Sequence, residues 1–565
     1  MKMTGGQIVC DCLVKEGVEV IFGILGGAIL PLYDTLPQFP QLHHVLVRHE
    51  QCAAHAAEGY ARATGRVGVC FATSGPGATN LVTGIANAHL DSSPVVAITG
   101  QVARRFIGKD AFQEVDITGI TLPITKHNYL VRDTSQLGKV VKEAFYIART
   151  GRPGPVLIDV PKDVFQEQVE YHAPGKVDLR SYKPRREGNM SQIRKAANLI
   201  NQAQKPVILA GRGVIISGAS EELKTLAETA QTPVVTTLLG IGSFPESHAL
   251  SYRWLGMHGM AYANMAINGA DVLIAIGMRF DDRATAEVAS FAPQAKIIHI
   301  DIDPAEIGKN VRVDVPIVGD VKAVLTPLLK LITPTQHGDW LKQLDIWRRE
   351  HPSTDIRDAS SILPQYVVRS IYEATGGDAT IVTGVGQNQM WAAQHYIYNK
   401  PNTFISSGGL GTMGFGLPAS VGVKMGRPDA TVWCIDGDGS FQMTLHELAT
   451  IQQERLAVKI AIMNNGFLGM VRQWQELFHD KRYVATPLWG PDFVKLAEAY
   501  GIPGIKVRHK DEVVPSIQKA MAHDGPFLVD FGVEPEENVY PMVPPGASLV
   551  ELLEAPKKEE VVWPR

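Results

Sequence analysis

The chain has 565 residues, too many for one hydrophobic core, and at roughly 150 residues per domain its length predicts three or four units. With 45% hydrophobic and 20% charged residues and a formal net charge of −4, it offers no basic field for nucleic acid. No apolar run is long enough to span a bilayer, so neither a membrane nor a nucleic-acid partner is expected.

In chain order, "TGGQIVCDCLVKEGVEVIF" reads as an amphipathic helix running into a strand, without the charged start and cleavage site of a signal peptide. A cytoplasmic protein is the expectation. Strand-like runs then recur as "EVIFGI", "HHVLVR", "VGVCFAT", "PVVAITG" and "PVLIDV". A second group follows as "PVILAG", "PVVTTL", "DVLIAIG" and "KIIHIDI", and a third as "ATIVTG", "NTFISS", "ATVWCID", "VKIAIMN" and "PFLVDFGV". Helical stretches separate them, which predicts an α/β fold of doubly wound parallel sheets covered on both faces. Polar, breaker-rich text at 172–192 and 333–358 reads as linkers and divides the chain into domains at 1–180, 190–335 and 360–535. A Pro-rich tail, 536–565, is expected to lack regular structure over much of its length and to serve as a lid or a loose end.

Five cysteines, Cys10, Cys12, Cys52, Cys70 and Cys434, are odd in number and sit in apolar text, which fits buried thiols in a reducing compartment. The Cys52-x-x-His55 pair lacks a second pair, so zinc on those two residues is not expected.

In open parallel sheets, ligands bind beyond the carboxyl ends of strands. "ATVWCID" ends in Gly437-Asp438-Gly439, which sets Asp436 and Asp438 close enough to repel unless a positive charge lies beside them. A turn with a solvated carboxylate is the plain alternative. Residues 440–463 then lead to Asn464-Asn465, an interval that fits one βαβ crossover, with a capping-box pattern Thr444-x-x-Glu447 expected to open its helix. Asp438 and Asn465 thus emerge at the ends of two parallel, neighbouring strands, where a carboxylate and an amide oxygen can share a cation. Oxygen ligands suit Mg²⁺, which completes its shell with phosphate oxygens and water. Gly437 and Gly439 admit close backbone approach, and the helix after Ser440 turns its positive end toward a diphosphate. A rival pattern, Gly409-x-Gly411-x-x-Gly414 with Asp436 downstream, fits a dinucleotide fingerprint.

The GDG-to-NN pairing resembles the diphosphate-anchoring motif of thiamine-diphosphate enzymes, which implies Phe467 as a third metal ligand through its carbonyl. In "VLVRHEQCAAHAAEGYARATG", Glu50 falls at a strand-to-helix junction, where a carboxylate also simply suits a helix N-terminus. With "TSGPGATN" after it, this stretch resembles the pyrimidine-binding domain of the same superfamily. The resemblance implies that Glu50 activates the cofactor's aminopyrimidine and that Met413, in "GGLGTMGFG", is the apolar wedge that bends it. It also implies a dimer as the smallest active unit, with each site shared between subunits.

"GQVARRFIGKDAFQE", "GRPGPVLIDVPKDV", "LGMHG", "GMRFDDR", "GQNQMWAAQ", "GMVRQWQELF" and "VYPMVPPGA" narrow the resemblance to the catalytic subunits of the acetohydroxyacid synthase family, over residues 4–546. This implies decarboxylation of pyruvate and attack of the resulting hydroxyethyl carbanion on a second 2-keto acid, pyruvate or 2-ketobutyrate, in branched-chain amino-acid synthesis. By the same resemblance Trp474 and Arg283 select and hold the acceptor, Phe112, Gln113 and Lys162 line its channel, and Gly27 with Ala28 edge the reacting centre. Gln387, Asn388 and Gly411 join the diphosphate contacts. The middle domain is expected to bind FAD through Gly211, Arg212, Gly213, Thr236, Thr237, Leu238, the stretch Leu255, Gly256 and His258, Gly277, Arg279, Asp281, Asp301, Ile302, Gly319 and Asp320, with Arg152 joining from the first domain, while Met257 within that stretch is expected to contact substrate. Two departures are Leu25, where relatives often carry Pro, and Asn388, where His is frequent. An FAD-dependent pyruvate oxidase, a flavin-free catabolic acetolactate synthase and a non-catalytic nucleotide-binding module are the rival readings. A small regulatory subunit and pairing of dimers into tetramers are left open.

Overall fold

The computed structural model describes residues 1–556, so the end of the expected tail, 557–565, lies outside the described residues. Three six-stranded sheets form, each wholly parallel, as continuous apolar runs buried on both faces require. The first has the order His43–Leu46, Val20–Gly23, Gly68–Ala72, Val95–Gln101, Val156–Pro161, His127–Leu130. The third is built identically, with Phe404–Ile405, Thr380–Thr383, Val432–Gly437, Val458–Asn464, Phe527–Gly532 and Gly504–Val507. Numbered within each sheet by chain position, both read 2-1-3-4-6-5. The sequence shows no repeat that announces this shared topology.

The middle sheet differs, running Ser251–Trp254, Val234–Thr236, Pro206–Ala210, Val272–Ile276, Lys296–Asp301, Val315–Val318, or 3-2-1-4-5-6, the order associated with dinucleotide binding. Lys2–Thr4 and Gln168–Glu170 form a separate two-stranded antiparallel ribbon.

Packing divides the chain into two compact units. One holds Met1–Pro184, Ala359–Ala392 and Asn402–Glu536, and so contains the first and third sheets; the other holds Arg185–Asp358, Ala393–Pro401 and the chain from Glu537. In the first unit, helix Glu50–Thr64 packs along helix Gly416–Gly426. Small residues allow this. A Cβ on Gly59 would lie 2.2 Å from the Ala419 carbonyl oxygen, and one on Gly422 1.8 Å from that of Ala56. Within this joint, Arg62 is a buried cation held by the Asp91 carboxylate at 3.3 Å and the Ser406 carbonyl at 2.6 Å.

Two local expectations are corrected. The segment 333–358 is not a plain linker, because it contains helix Gly338–Glu350, whose Trp340 and Leu344 are buried and whose Trp340 indole donates to the Pro206 carbonyl at 3.1 Å. The Thr444-x-x-Glu447 capping box does not form. The Thr444 hydroxyl donates to the Gly414 carbonyl instead, and Glu447 Oε1 accepts the Arg48 backbone N–H at 2.8 Å. In the second unit, the described tail has no helix or strand and packs by main-chain bonds such as Val543 N–H to Met257 C=O.

Candidate functional site

Sheets of order 2-1-3 reverse direction between their first and third strands, and the crevice beyond that point is where ligands sit. In the third sheet these strands are Thr380–Thr383 and Val432–Gly437. Gln387 and Asn388 follow the former, Asp438 follows the latter, and Asn465 comes just after the neighbouring strand Val458–Asn464.

The predicted pair lies at the ends of two neighbouring parallel strands. Asp438 begins helix Asp438–Gln442 and is 2% exposed, and the backbone donors of Gly466, Asn465 and Gly439 near its carboxylate favour the charged form. Burial pushes this carboxyl up to about 7 despite those donors. The Asn465 side chain donates to Gln387 Oε1 at 3.3 Å and accepts the Phe467 N–H at 3.0 Å, and Gln387 donates to Gln473 at 2.9 Å. Asn388 is fixed by a 3.0 Å bond to the Ile435 carbonyl.

Glycine is required here by space. On Gly469 a Cβ would stand 2.2 Å from Gln387 Oε1, and on Gly439 2.7 Å from Leu468 and 3.7 Å from the Met413 methyl. The Gly411–Gly414 loop lies on this floor, with Gly414 N–H bonded to Ser440 Oγ at 2.9 Å and both glycines at positive φ. Its other supports come from the first sheet's region: Asn87 Oδ1 accepts from Ser407 and Thr412, and the Asp91 carboxylate accepts the N–H groups of Gly408 and Gly409. Asp436 answers differently from Asp438. It is wholly buried with its Oδ1 on the Gly437 N–H, packed where a Cβ on Gly384 would lie 1.6 Å away, and burial raises it to about 7. Such a carboxylate cannot reach a ribose, which removes the dinucleotide reading of the GxGxxG loop.

A second cluster lies at the switch point of the first sheet. Glu50 opens helix Glu50–Thr64 after the cap residue His49, is 8% exposed, and accepts from Asn80 Nδ2 at 2.9 Å through Oε2. The Ala28 N–H donates to Thr73 Oγ1 at 3.3 Å, and Gly26, beside Gly27, lies against the same threonine. Gln113, at φ +60, backs onto Gly75 so closely that a Cβ there would be 2.9 Å from its Cα. Neighbouring Phe112 is 89% exposed, and Lys162 begins helix Lys162–Gln166 at the end of strand Val156–Pro161. Trp474 lies on helix Gly469–Phe478 and lines a cleft of about 600 Å³ with Met470, Val471, Gln475, His479, Arg482 and Val484.

In the second unit, the residues expected at FAD fall at the carboxyl ends of all six strands of the middle sheet. Gly211, Gly213 and Gly277 meet at its switch point, where a Cβ on Gly211 would be 2.3 Å from the Gly277 carbonyl oxygen. Arg212 opens the helix after Gly211, Thr236 ends one strand with Thr237 and Leu238 opening the turn that follows it, and Leu255 with Gly256 follow another strand. His258 is buried and lowered to about 4 by desolvation. Arg279 pairs with Asp281 at 3.4 Å, while Asp281 and Asp320 cap the helices that follow them. The Asp301 carbonyl accepts the Gly319 N–H, with Ile302 beside it. Arg283 and Met257 come together, guanidinium to sulfur at 3.6 Å. Arg152 belongs to the first unit, where it donates to Ser92 at 2.8 Å.

Sequence reasoning missed Asn80, Gln473, Asn87, Asp91 and the Glu447 contact. All are partners made by folding rather than by spacing.

Sequence profiles match this architecture region by region. Residues 3–120 match the thiamine pyrophosphate enzyme N-terminal TPP binding domain, 193–328 the central domain and 384–531 the C-terminal TPP binding domain. Two like sheets carrying the acid and the GDG-to-NN pair, with a dinucleotide-type sheet between them in the chain, define a thiamine pyrophosphate enzyme. The acetolactate synthase of Mycobacterium bovis is 53% identical over 560 residues, covering 97% of this chain and 91% of its own. The acetolactate synthase large subunit of Corynebacterium glutamicum is 50% identical over 559 residues (97% and 89%), and the probable large subunit of Methanocaldococcus jannaschii 50% over 566 (98% and 95%). The chain belongs to the acetolactate synthase large-subunit family.

Proposed function

We propose that this chain decarboxylates pyruvate and joins the two-carbon unit to a second 2-keto acid, pyruvate or 2-ketobutyrate, as the catalytic subunit of a branched-chain amino-acid pathway enzyme. The observation that carries this reading is the buried Asp438 carboxylate set among the Asn465, Gly466 and Gly439 amides at the switch point of the third sheet. A buried acid raised by desolvation fits a divalent cation, and with Asn465 and the Phe467 carbonyl it would hold Mg²⁺. Gly437, Gly439 and Ser440 then leave room for a diphosphate, with Gln387 and Asn388 on its other side. Thiamine diphosphate supplies the electron sink for loss of carbon dioxide.

The chain's own groups account for the rest. Glu50, fixed by Asn80 in a nearly dry position, holds or moves a proton at Oε1 or Oε2. Met413 gives the cofactor an apolar wall, the Gly27–Ala28 turn and Gln113 edge the reacting centre, and Phe112 and Lys162 line the approach. Trp474 and Arg283 suit an alkyl group and a carboxylate of the acceptor. The glycine-lined switch point of the middle sheet suits the pyrophosphate of FAD. The three domains take the bounds 1–180, 190–335 and 360–535, and a homodimer or tetramer, with or without a small regulatory subunit, completes the sites. Among the described residues no helix is long and apolar enough to cross a membrane.

Purified protein incubated with pyruvate, with each of thiamine diphosphate, Mg²⁺ and FAD omitted in turn, is expected to form acetolactate only when thiamine diphosphate and Mg²⁺ are present. Oxygen uptake in step with pyruvate loss would replace this reading with an oxidase. A colourless active protein would remove FAD.

A further inference from the structure

Cys52 lacks a metal partner in its own helix, yet folding supplies two from residues nearly four hundred positions away. Cys52 Sγ lies 3.5 Å from His446 Nε2, which is itself 3.7 Å from Glu447 Oε1, and the three ligand atoms fall within 4.8 Å of one another. Zinc bonds of about 2.3 Å to sulfur, about 2.05 Å to nitrogen and about 2.1 Å to oxygen at tetrahedral angles place such atoms about 3.4–3.6 Å apart. Two of the three edges are therefore close to their metal-bound lengths before any ion enters. Cys52 and Glu447 are buried while His446 is half-exposed, which leaves one open side for entry and for a water ligand. Glu447 Oε1 already accepts the Arg48 N–H and Oε2 the Thr450 hydroxyl, which orient the carboxylate and leave Oε1 a second lone pair.

We propose that Cys52, His446 and Glu447 form a zinc site that ties helix Glu50–Thr64 to the Leu445–Glu447 turn, with water as fourth ligand. The thiolate, imidazole and carboxylate set suits Zn²⁺, whereas Mg²⁺ prefers oxygen alone, so this site and the diphosphate site sort the two ions by chemistry. Coordination sends the Cys52 thiol proton to solvent.

The test uses full-length protein loaded with thiamine diphosphate and Mg²⁺ and titrated with Co²⁺ as a visible stand-in for zinc. One equivalent per chain is expected to give tetrahedral cobalt absorption with a thiolate charge-transfer band, bleached by equimolar Zn²⁺. Cys52→Ser is expected to lose the charge-transfer band and His446→Gln to weaken binding at least tenfold, while Cys434→Ser leaves the spectrum unchanged. His446 is half-exposed, so that variant reports even if Cys52→Ser folds poorly. Absence of the band in the parent protein, or its persistence in Cys52→Ser, overturns the proposal.

Discussion

Replacing Gly59 with Ala tests whether the helix joint of the first unit depends on bare backbone. The new methyl carbon would begin 2.2 Å from the Ala419 carbonyl oxygen and 2.9 Å from its carbonyl carbon and Cα, all backbone atoms that no side-chain rotation can move. An ordinary carbon-to-oxygen contact needs about 1 Å more, so helices Glu50–Thr64 and Gly416–Gly426 must separate along their length. Overpacking of this kind costs about 1–3 kcal/mol, and a backbone obstacle puts this site at the upper end. Alanine's better helix propensity returns about 1 kcal/mol, so a net loss of about 2 kcal/mol is expected. The control is Gly338→Ala, at the exposed start of helix Gly338–Glu350 with nothing within 4 Å, where the same change is expected to stabilise by about 0.4–1 kcal/mol. Urea unfolding of both variants, followed by circular dichroism, checks the pair. A Gly59→Ala chain as stable as the parent would show that the joint yields freely and would refute the close-approach argument.

Glu50→Gln, which keeps the Asn80 contact but cannot exchange a proton, is expected to slow acetolactate formation about 10²- to 10⁴-fold without lowering the unfolding midpoint; unimpaired turnover would remove Glu50 from its role. Trp474→Leu is expected to preserve acetolactate formation while lowering the share of product from 2-ketobutyrate in a competition assay, and an unchanged product ratio counts against it. Asp159 is buried within strand Val156–Pro161, and burial raises its carboxyl from 3.8 to about 7 against hydrogen bonds from Thr99 and Gln101. The folded chain therefore keeps this proton where the unfolded chain has lost it, so its stabilising contribution is complete below about pH 4 and disappears as pH rises through 7. Asp159→Asn is expected to gain stability relative to the parent between about pH 5 and about pH 8, by up to about 4 kcal/mol, and a constant difference between urea midpoints would refute it.

Most apolar runs visible in the sequence became strands because they are long enough, and apolar enough, to be buried on two faces, whereas His43–Leu46 and Phe404–Ile405 formed at sheet edges. The strands it concealed, Lys2–Thr4, His127–Leu130, Gln168–Glu170, Ser251–Trp254, Val315–Val318 and Gly504–Val507, lie at sheet edges or in the small ribbon, where short mixed text suffices. Asp438 and Asn465 were legible because a βαβ crossover converts spacing into adjacency. Thr444 and Glu447 misled for the opposite reason. Their local pattern satisfies a capping box, but the Gly414 carbonyl and the Arg48 N–H compete for the same side chains and prevail. Asn80, Gln473 and Asn87 left no trace because their partners are distant in the chain.

The anchoring of Ser407, Gly408, Gly409 and Thr412 by Asn87 and Asp91 makes one wall of the proposed diphosphate groove a borrowed part. A carboxy-terminal fragment cut free near residue 359 would retain its own β-sheet yet surrender the props beneath that glycine loop. On the proposed reading, cofactor capture is thus an attribute of the first and third sheets joined in one unit, and neither holds it alone.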